Sequence, residues 1–205
     1  MLDKIHWLGH ASFYIEAKSG MIIYFDPYQM KDNLPEADII LVSHSHFDHY
    51  SPQDIKKIAK SDTVIVGPSS ITGKLPYTIK VLKPNEMTTV RGIDIEAVYA
   101  YNPRKNFHPK SNDNLGFIVT IDNTRVYYAG DTDFIPEMKG IKIDIALLPV
   151  GGTYTMNAKE AAEVANTISP KIAIPMHFGS IVGSSKDAKD FKELCKVEVK
   201  ILEQE

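Results

Sequence analysis

The segment His44-Ser45-His46-Phe47-Asp48-His49 places three imidazoles and a carboxylate directly behind the apolar run Ile39-Ile40-Leu41-Val42. Crowded imidazoles compete for hydrogen-bond partners and repel one another when protonated. A divalent cation removes that cost, because neutral imidazole and carboxylate are its natural ligands. In an extended segment His44 and His46 point the same way and can grip one ion together, while Asp48 and His49 can turn towards a second. A His-rich surface loop is the alternative, but the H-x-H-x-D-H spacing has a mechanism behind it and predicts a metal site.

Four more histidines stand at positions 6, 10, 108 and 177. His177 ends the apolar run Ile172-Ala173-Ile174-Pro175-Met176, and Asp131 ends Val126-Tyr127-Tyr128-Ala129-Gly130. Three apolar segments far apart in the chain thus each deliver a ligand-type residue at the carboxyl end, the edge where sites form in layered α/β proteins. Taken singly, Asp131 could be a turn or cap aspartate and His177 a hydrogen-bonded core histidine. Their company with the first cluster favours one shared site.

The elements that must position these residues are legible in the pattern. Strands are expected over 5–17, with a break about Gly9, and over 21–25, closed by Asp26-Pro27, with a turn at Ser19-Gly20. The run before His44 reads as a strand buried on both faces. Ser51-Pro52 starts a helix with Ile55, Ile58 and Ala59 on its apolar face. Short strands are expected at 63–66, 79–82, 87–90, 93–99, 115–122 and 125–129, the last two joined near Asp122-Asn123. The polar segment from Asn102 to Asn114 is too long for a tight turn and is a candidate binding loop, with Tyr154 and Thr155 as further substrate contacts. A strand at 144–150, a helix capped by Asn157 with Glu160, a strand at 172–176, a helix near 187–195 and a strand at 197–202 complete the chain. Hairpins in both halves flank βα connections, which predicts a layered α/β fold with mixed sheets inside and helices outside, in a single domain over 1–205.

With 205 residues, 43% hydrophobic and 24% charged, the chain can bury a full core. A net charge of −3 gives no general pull towards nucleic acid. Cys195 is the only cysteine, so no intrachain disulfide is possible; its spacing from Phe191 and Leu194 reads as core filling rather than as a nucleophile. No leader-like apolar core opens the chain and no segment approaches the roughly 20 apolar residues of a membrane span. The expectation is a soluble, cytoplasmic protein. The sequence sets no oligomeric state.

His44-Ser-His46-Phe-Asp48-His49, Gly130-Asp131-Thr132 and Met176-His177 together resemble the metallo-β-lactamase superfamily of metal-dependent hydrolases. Leu8-Gly9-His10-Ala11-Ser12-Phe13, Asp26-Pro27 and Pro149-Val150-Gly151-Gly152-Thr153-Tyr154-Thr155-Met156 are similar to its L-ascorbate-6-phosphate lactonase branch. The resemblance implies an αββα four-layer sandwich with two divalent ions at the sheet edge, Zn2+ first, with Mn2+ or Fe2+ as alternatives. It implies His44 and His46 for the first ion, Asp48, His49 and His177 for the second, and Asp131 between them. The chain departs from that pattern where a third histidine is expected after a strand: Ala100-Tyr101-Asn102 stands there instead. His108 is the histidine left to fill the place, with Asn102 the alternative. The branch resemblance also places His10 near the site, as a contact to substrate or to a ligand carboxylate; Asp26 is assigned to orienting a ligand histidine, and His6 beside Trp7 to a structural role.

The activity implied is metal-assisted hydrolysis of a small-molecule ester, lactone or phosphorylated metabolite, with Asp48 orienting the nucleophile and His10 beside it. A nuclease or phosphodiesterase on the same ions is the second reading, and a protein whose metal only holds its halves together is the third. A di-iron redox protein of this fold would show H-x-E-x-D, where this chain has His46 in place of the glutamate.

Overall fold

The computed structural model describes residues 1–73 and 75–205. The first half forms β1 (Ile5–Gly9), β2 (Ser12–Glu16), β3 (Ile22–Phe25), β4 (Ala37–Leu41), α1 (Pro52–Ile58), β5 (Ala59–Gly67) and β6 (Thr78–Val81). The second half forms β7 (Met87–Val90), β8 (Ile93–Tyr99), β9 (Leu115–Ile121), β10 (Thr124–Tyr128), β11 (Ile145–Pro149), α2 (Ala158–Ile168), β12 (Ile172–Met176), α3 (Ser185–Leu194) and β13 (Glu198–Val199). Strands β1 to β6 lie in sequence order in one sheet, and the other runs β13-β12-β11-β10-β9-β8-β7. Each sheet is antiparallel at its hairpins and parallel at its crossovers, so both are mixed, as expected.

Local chemistry explains the element ends. Ser51 accepts the Asp54 amide and Pro52 opens α1. Asn157 and Glu160 cap α2 reciprocally, while Ala161, Val164, Ala165 and Ile168 are buried. Asp122 and Asn123 both take left-handed backbone, as the two-residue turn between β9 and β10 requires. Two expectations shift. Ala59 is extended and begins β5, because it pairs with Ala37 rather than continuing α1, so β5 is longer than the predicted strand. The strand expected at 197–202 is confined to Glu198–Val199; the tail then leaves that sheet, and the Glu205 amide donates to the Trp7 carbonyl at 3.0 Å.

Strand β4 shows why its unbroken apolar run was needed. Ile39 and Leu41 enter the core shared by the two sheets and the helices α2 and α3, while Ala37, Ile40 and Val42 enter a second core under α1. The strand is therefore buried on both faces and its end is fixed from both sides. Among the described residues no helix is long and apolar enough to cross a membrane.

Candidate metal centre

Strand β4 ends at Leu41, and His44 to His49 follow in a loop anchored to the sheet. Asp131 follows β10, and Gly130 before it has φ +64°; a Cβ there would lie 2.6 Å from the Leu115 carbonyl oxygen, so the approach needs glycine. His177 follows β12 and His10 follows β1. Both are non-glycine residues in left-handed backbone, at φ 59° and 49°, and they are tied together by the His177 amide donating to the His10 carbonyl at 2.8 Å. Strained backbone of this kind persists only where the surroundings over-determine it, which is the situation at a functional site.

All the histidines and carboxylates expected at the site, apart from their assigned roles, are brought together. On an inner side, His49 Nε2 and His177 Nε2 each lie 3.2 Å from Asp131 Oδ1, and 3.5 and 3.9 Å from Asp48 Oδ2. On an outer side, His46 Nδ1 lies 2.9 Å from His44 Nε2 and 3.2 Å from His108 Nε2. Asp131 Oδ2 faces that side, 3.4 Å from His108 Nε2. The inner group of His10, Asp48, His49 and His177 is wholly buried, whereas His46 of the outer group is exposed.

Hydrogen bonding behind the cluster fixes which nitrogens face inward. An ionised carboxylate only accepts, so His49 Nδ1 donates to Asp26 Oδ2 at 2.6 Å and presents Nε2 to the centre. Ser43 Oγ donates to the same oxygen, so it accepts from His44 Nδ1 at 2.9 Å and turns His44 Nε2 inward. His108 Nδ1 lies 2.8 Å from Asn102 Oδ1, which also accepts the His108 amide at 3.1 Å. Asn102 thus clamps His108 from behind; of the two candidates for the third position, it is His108 that points inward.

These orientations aim nitrogen lone pairs at one another. His49 Nε2, His177 Nε2 and Asp131 Oδ1 are buried without a hydrogen-bond partner despite their 3.2 Å separations. Orphaned buried donors and acceptors of this type are costly unless a cation sits among them, so the donor set fits divalent ions. Asp26 also joins His44 and His49 as a possible ligand group, but its oxygens are already taken by Ser43, His49 and Tyr128.

The electrostatics agree. Burial opposes charge on His49, yet Asp131 and Asp26 outweigh it and hold the imidazole well above its ordinary value. Burial also opposes charge on Asp131, and His177 with His49 outweigh it, holding the carboxyl well below its usual range. Burial pushes His44 and His108 down, which favours their neutral forms. The pocket favours positive charge at His49 and uncharged imidazole at His44 and His108.

His10 sits behind Asp48, its Nε2 3.0 Å from Asp48 Oδ2, and lines a separate small cleft with Tyr28, Gln29, Phe178 and Gln204 rather than the mouth. His6 stacks on Tyr14 with ring centroids 4.2 Å apart and pairs with Glu205, in keeping with a structural role. Thr155 is fully buried with its hydroxyl turned to backbone carbonyls, whereas Tyr154 reaches the mouth. Burial pushes the Cys195 thiol up to about 11, and Cys195 caps α3 against the core, so it offers no nucleophile. Ser43 and Tyr128 were not singled out in the sequence. Ser43 is one hydroxyl between Val42 and His44, and Tyr128 is hidden in an apolar run; its hydroxyl donates to Asp26 Oδ2 at 2.6 Å.

Comparison with known proteins places the chain among metal-dependent hydrolases. Residues 4–177 match the model of the beta-lactamase superfamily domain. A UPF0173 metal-dependent hydrolase of Pyrococcus abyssi is 33% identical over 217 residues, covering 97% of this chain and 95% of that protein. A crystal structure from Parabacteroides distasonis, described as a metal-dependent hydrolase, superposes with a TM-score of 0.88 at 39% identity, covering 98% of this chain and 93% of that one. One from Thermotoga maritima, described as a zinc-dependent hydrolase of the metallo-β-lactamase superfamily, superposes with a TM-score of 0.65 at 27% identity, covering 96% of each chain. With the αββα arrangement and the His/Asp cluster already in place, this chain belongs to the metallo-β-lactamase superfamily of metal-dependent hydrolases.

Proposed function

We propose that the chain is a dinuclear hydrolase of a small molecule, with zinc as the first candidate ion and manganese or iron as alternatives. The observation that carries this reading is the two-sided carboxylate of Asp131, with Oδ1 towards His49 and His177 and Oδ2 towards His108. A carboxylate set between two donor groups suits a pair of cations. His44, His46 and His108 would hold the outer ion, Asp48, His49 and His177 the inner one, and Asp131 would reach both. The chemistry that such ions supply is acidification of a water molecule and polarisation of a carbonyl or phosphoryl oxygen.

The chain's own residues do the positioning. His10 Nε2 donates to Asp48 Oδ2, and this hydrogen bond holds the Asp48 carboxyl below its usual range against the opposing effect of burial. Asp48 lines the mouth and orients the attacking water, and His10 acts through Asp48 rather than on substrate. Asp26, Ser43 and Asn102 hold the ligand imidazoles in one tautomer.

The test is metal content per chain, by mass spectrometry after loading with Zn2+ and desalting, for wild type, His108→Ala and His177→Ala. The expected result is close to two ions in wild type and about one in His108→Ala. The loaded wild type is expected to hydrolyse members of a panel of esters, lactones and phosphodiesters. A wild-type count near one, or a full complement in both variants, overturns the dinuclear assignment. Two ions with no turnover across the panel favours a structural metal.

A further inference from the structure

The rim of the centre is unlike the rest of the molecule's surface. Phe47, Phe107 and Ile181 are 67%, 45% and 37% exposed, and each lines the same cavity. That cavity has a volume of about 330 Å³ and is completed by Tyr154 above His46, Asp48, His108 and Asp131. Phe107 meets Tyr154 edge to face at 4.7 Å, and Phe47 meets Tyr28 in the same manner at 5.9 Å. The aromatic groups come from three separate loops and converge on one opening. Large apolar side chains held in water serve no folding purpose, and gathered around a polar floor they mark a ligand site.

Charge sharpens the point. Among the described residues no lysine or arginine lines this cavity. The basic residues of the 102–114 loop turn elsewhere: Arg104 and Lys105 face a separate groove beside Asp133, Glu160 and Glu163, and Lys110 pairs with Glu137, its Nζ 2.6 Å from Oε1. Lys105 is held there, with Nζ 2.6 Å from both Asp133 Oδ1 and the Thr155 carbonyl oxygen. A phosphate or carboxylate on the part of the substrate distant from the reacting bond would therefore meet aromatic rings and no counter-charge. Such a group loses its hydration without compensation. Recognition of phosphate or nucleic acid draws on basic side chains, and none of the described ones lines this mouth.

We infer that the substrate is an uncharged carbonyl compound, an ester, thioester or lactone, carrying a medium alkyl or aryl group that packs against Phe47, Phe107, Tyr154 and Ile181. This inference rests on the hydrolase reading and narrows it away from phosphorylated metabolites. Hydrolysis would add water across the acyl bond, with the hydroxyl going to the carbonyl carbon and the proton to the departing oxygen or sulfur.

The test uses Zn2+-loaded full-length protein and three para-nitrophenyl esters: acetate, hexanoate and the hemiester of glutarate, which has similar length to hexanoate but ends in a carboxylate. The expected kcat/KM for hexanoate exceeds that for acetate about tenfold, below the full transfer value of the added methylenes because the mouth is open. Glutarate is expected to fall about tenfold or more below hexanoate. Phe47→Ala and Phe107→Ala each shrink the hexanoate-to-acetate ratio, chiefly through KM, while Met87→Ala, an exposed residue on β7, keeps it. In parallel, calorimetry compares binding of hexanohydroxamate with acetohydroxamate, a readout independent of turnover. Ester turnover without hexanoate preference, or with glutarate favoured, overturns the apolar mouth while leaving the hydrolase reading standing. Tighter hexanohydroxamate binding that Phe107→Ala abolishes, with no turnover of these esters or of the lactones, thioesters and phosphodiesters of a full panel, supports the mouth and overturns the hydrolase. Neither turnover nor chain-length-dependent binding overturns both.

Discussion

His49, His177 and Asp48 on the inner side of the centre are buried, whereas the outer side has the exposed His46 and borrows His108 from a loop. His177 follows directly on β12, and His49 lies in the loop that leaves β4. His49 is tied to Asp26, and Asp26 also holds the Ser43 amide at 2.6 Å and the Tyr128 hydroxyl, so β3, β4 and β10 all meet at one carboxylate. Nothing comparable backs His108, whose support is Asn102, six residues earlier in the same loop. The inner side is part of the fold; on the outer side His44 shares that support through Ser43, while His46 and His108 are attachments to it. A site of this kind should lose its outer ion first and keep its inner ion for as long as the two sheets stay together.

Breaking the inner support is the severest test. Asp26→Ala strands the Ser43 amide and hydroxyl and the His49 Nδ1–H in a buried space, leaving the Tyr128 hydroxyl only the Ala11 carbonyl at 3.0 Å. Removing one member of a buried charged network costs about 3–5 kcal/mol. The expected outcome is a fall of that order in urea-denaturation stability, with both ions lost from the purified protein. Unchanged stability would mean that the inner side is no more structural than the outer.

A gentler substitution separates the two sides. Asn102→Ala leaves His108 in place but unclamped, and loss of such a supporting partner lowers metal affinity about 10–100-fold. Competition with a zinc chelator is expected to show one ion weakened by that factor and the other unmoved, with stability little changed. Equal weakening of both ions would erase the distinction between the sides.

The same distinction governs what the sequence could reveal. The inner residues were legible because buried strands announce themselves as apolar runs, and a histidine or aspartate at the end of such a run stands out. Asp131 and His177 stand out that way, as does His44 of the outer side, and His49 through its spacing from His44 and His46; the alternation of β4 between two cores explains why its run is unbroken. The loop from Asn102 to Asn114 carries no period, so whether Asn102 or His108 faced inward was left open until the backbone path placed one behind the other. Ser43 and Tyr128 were illegible for a different reason: their roles depend on meeting Asp26 across 17 and 102 residues. Thr155, expected among the substrate contacts, turns into the core. Phe47 and Phe107, apolar residues within polar segments, carried a signal that was not used.

The smallest expected effect concerns the strap that holds the outer loop down. Lys105 reaches from that loop to Asp133 and to the Thr155 carbonyl, joining it to the segment before α2. The side chain is about a quarter exposed, so the ion pair is partly screened and its loss should cost no more than about 1 kcal/mol of stability. Its consequence should be local. Freed of Lys105, the loop bearing Asn102, Phe107 and His108 samples more conformations, and each alternative removes His108 from the centre for a time. Lys105→Met should therefore speed hydrogen exchange in the 102–114 amides and hasten release of the outer ion to a chelator by a few-fold, less than Asn102→Ala does. The inner ion, held from strand ends, should leave at the wild-type rate. If it leaves faster too, the strap acts on the whole centre and the two sides are one mechanical unit.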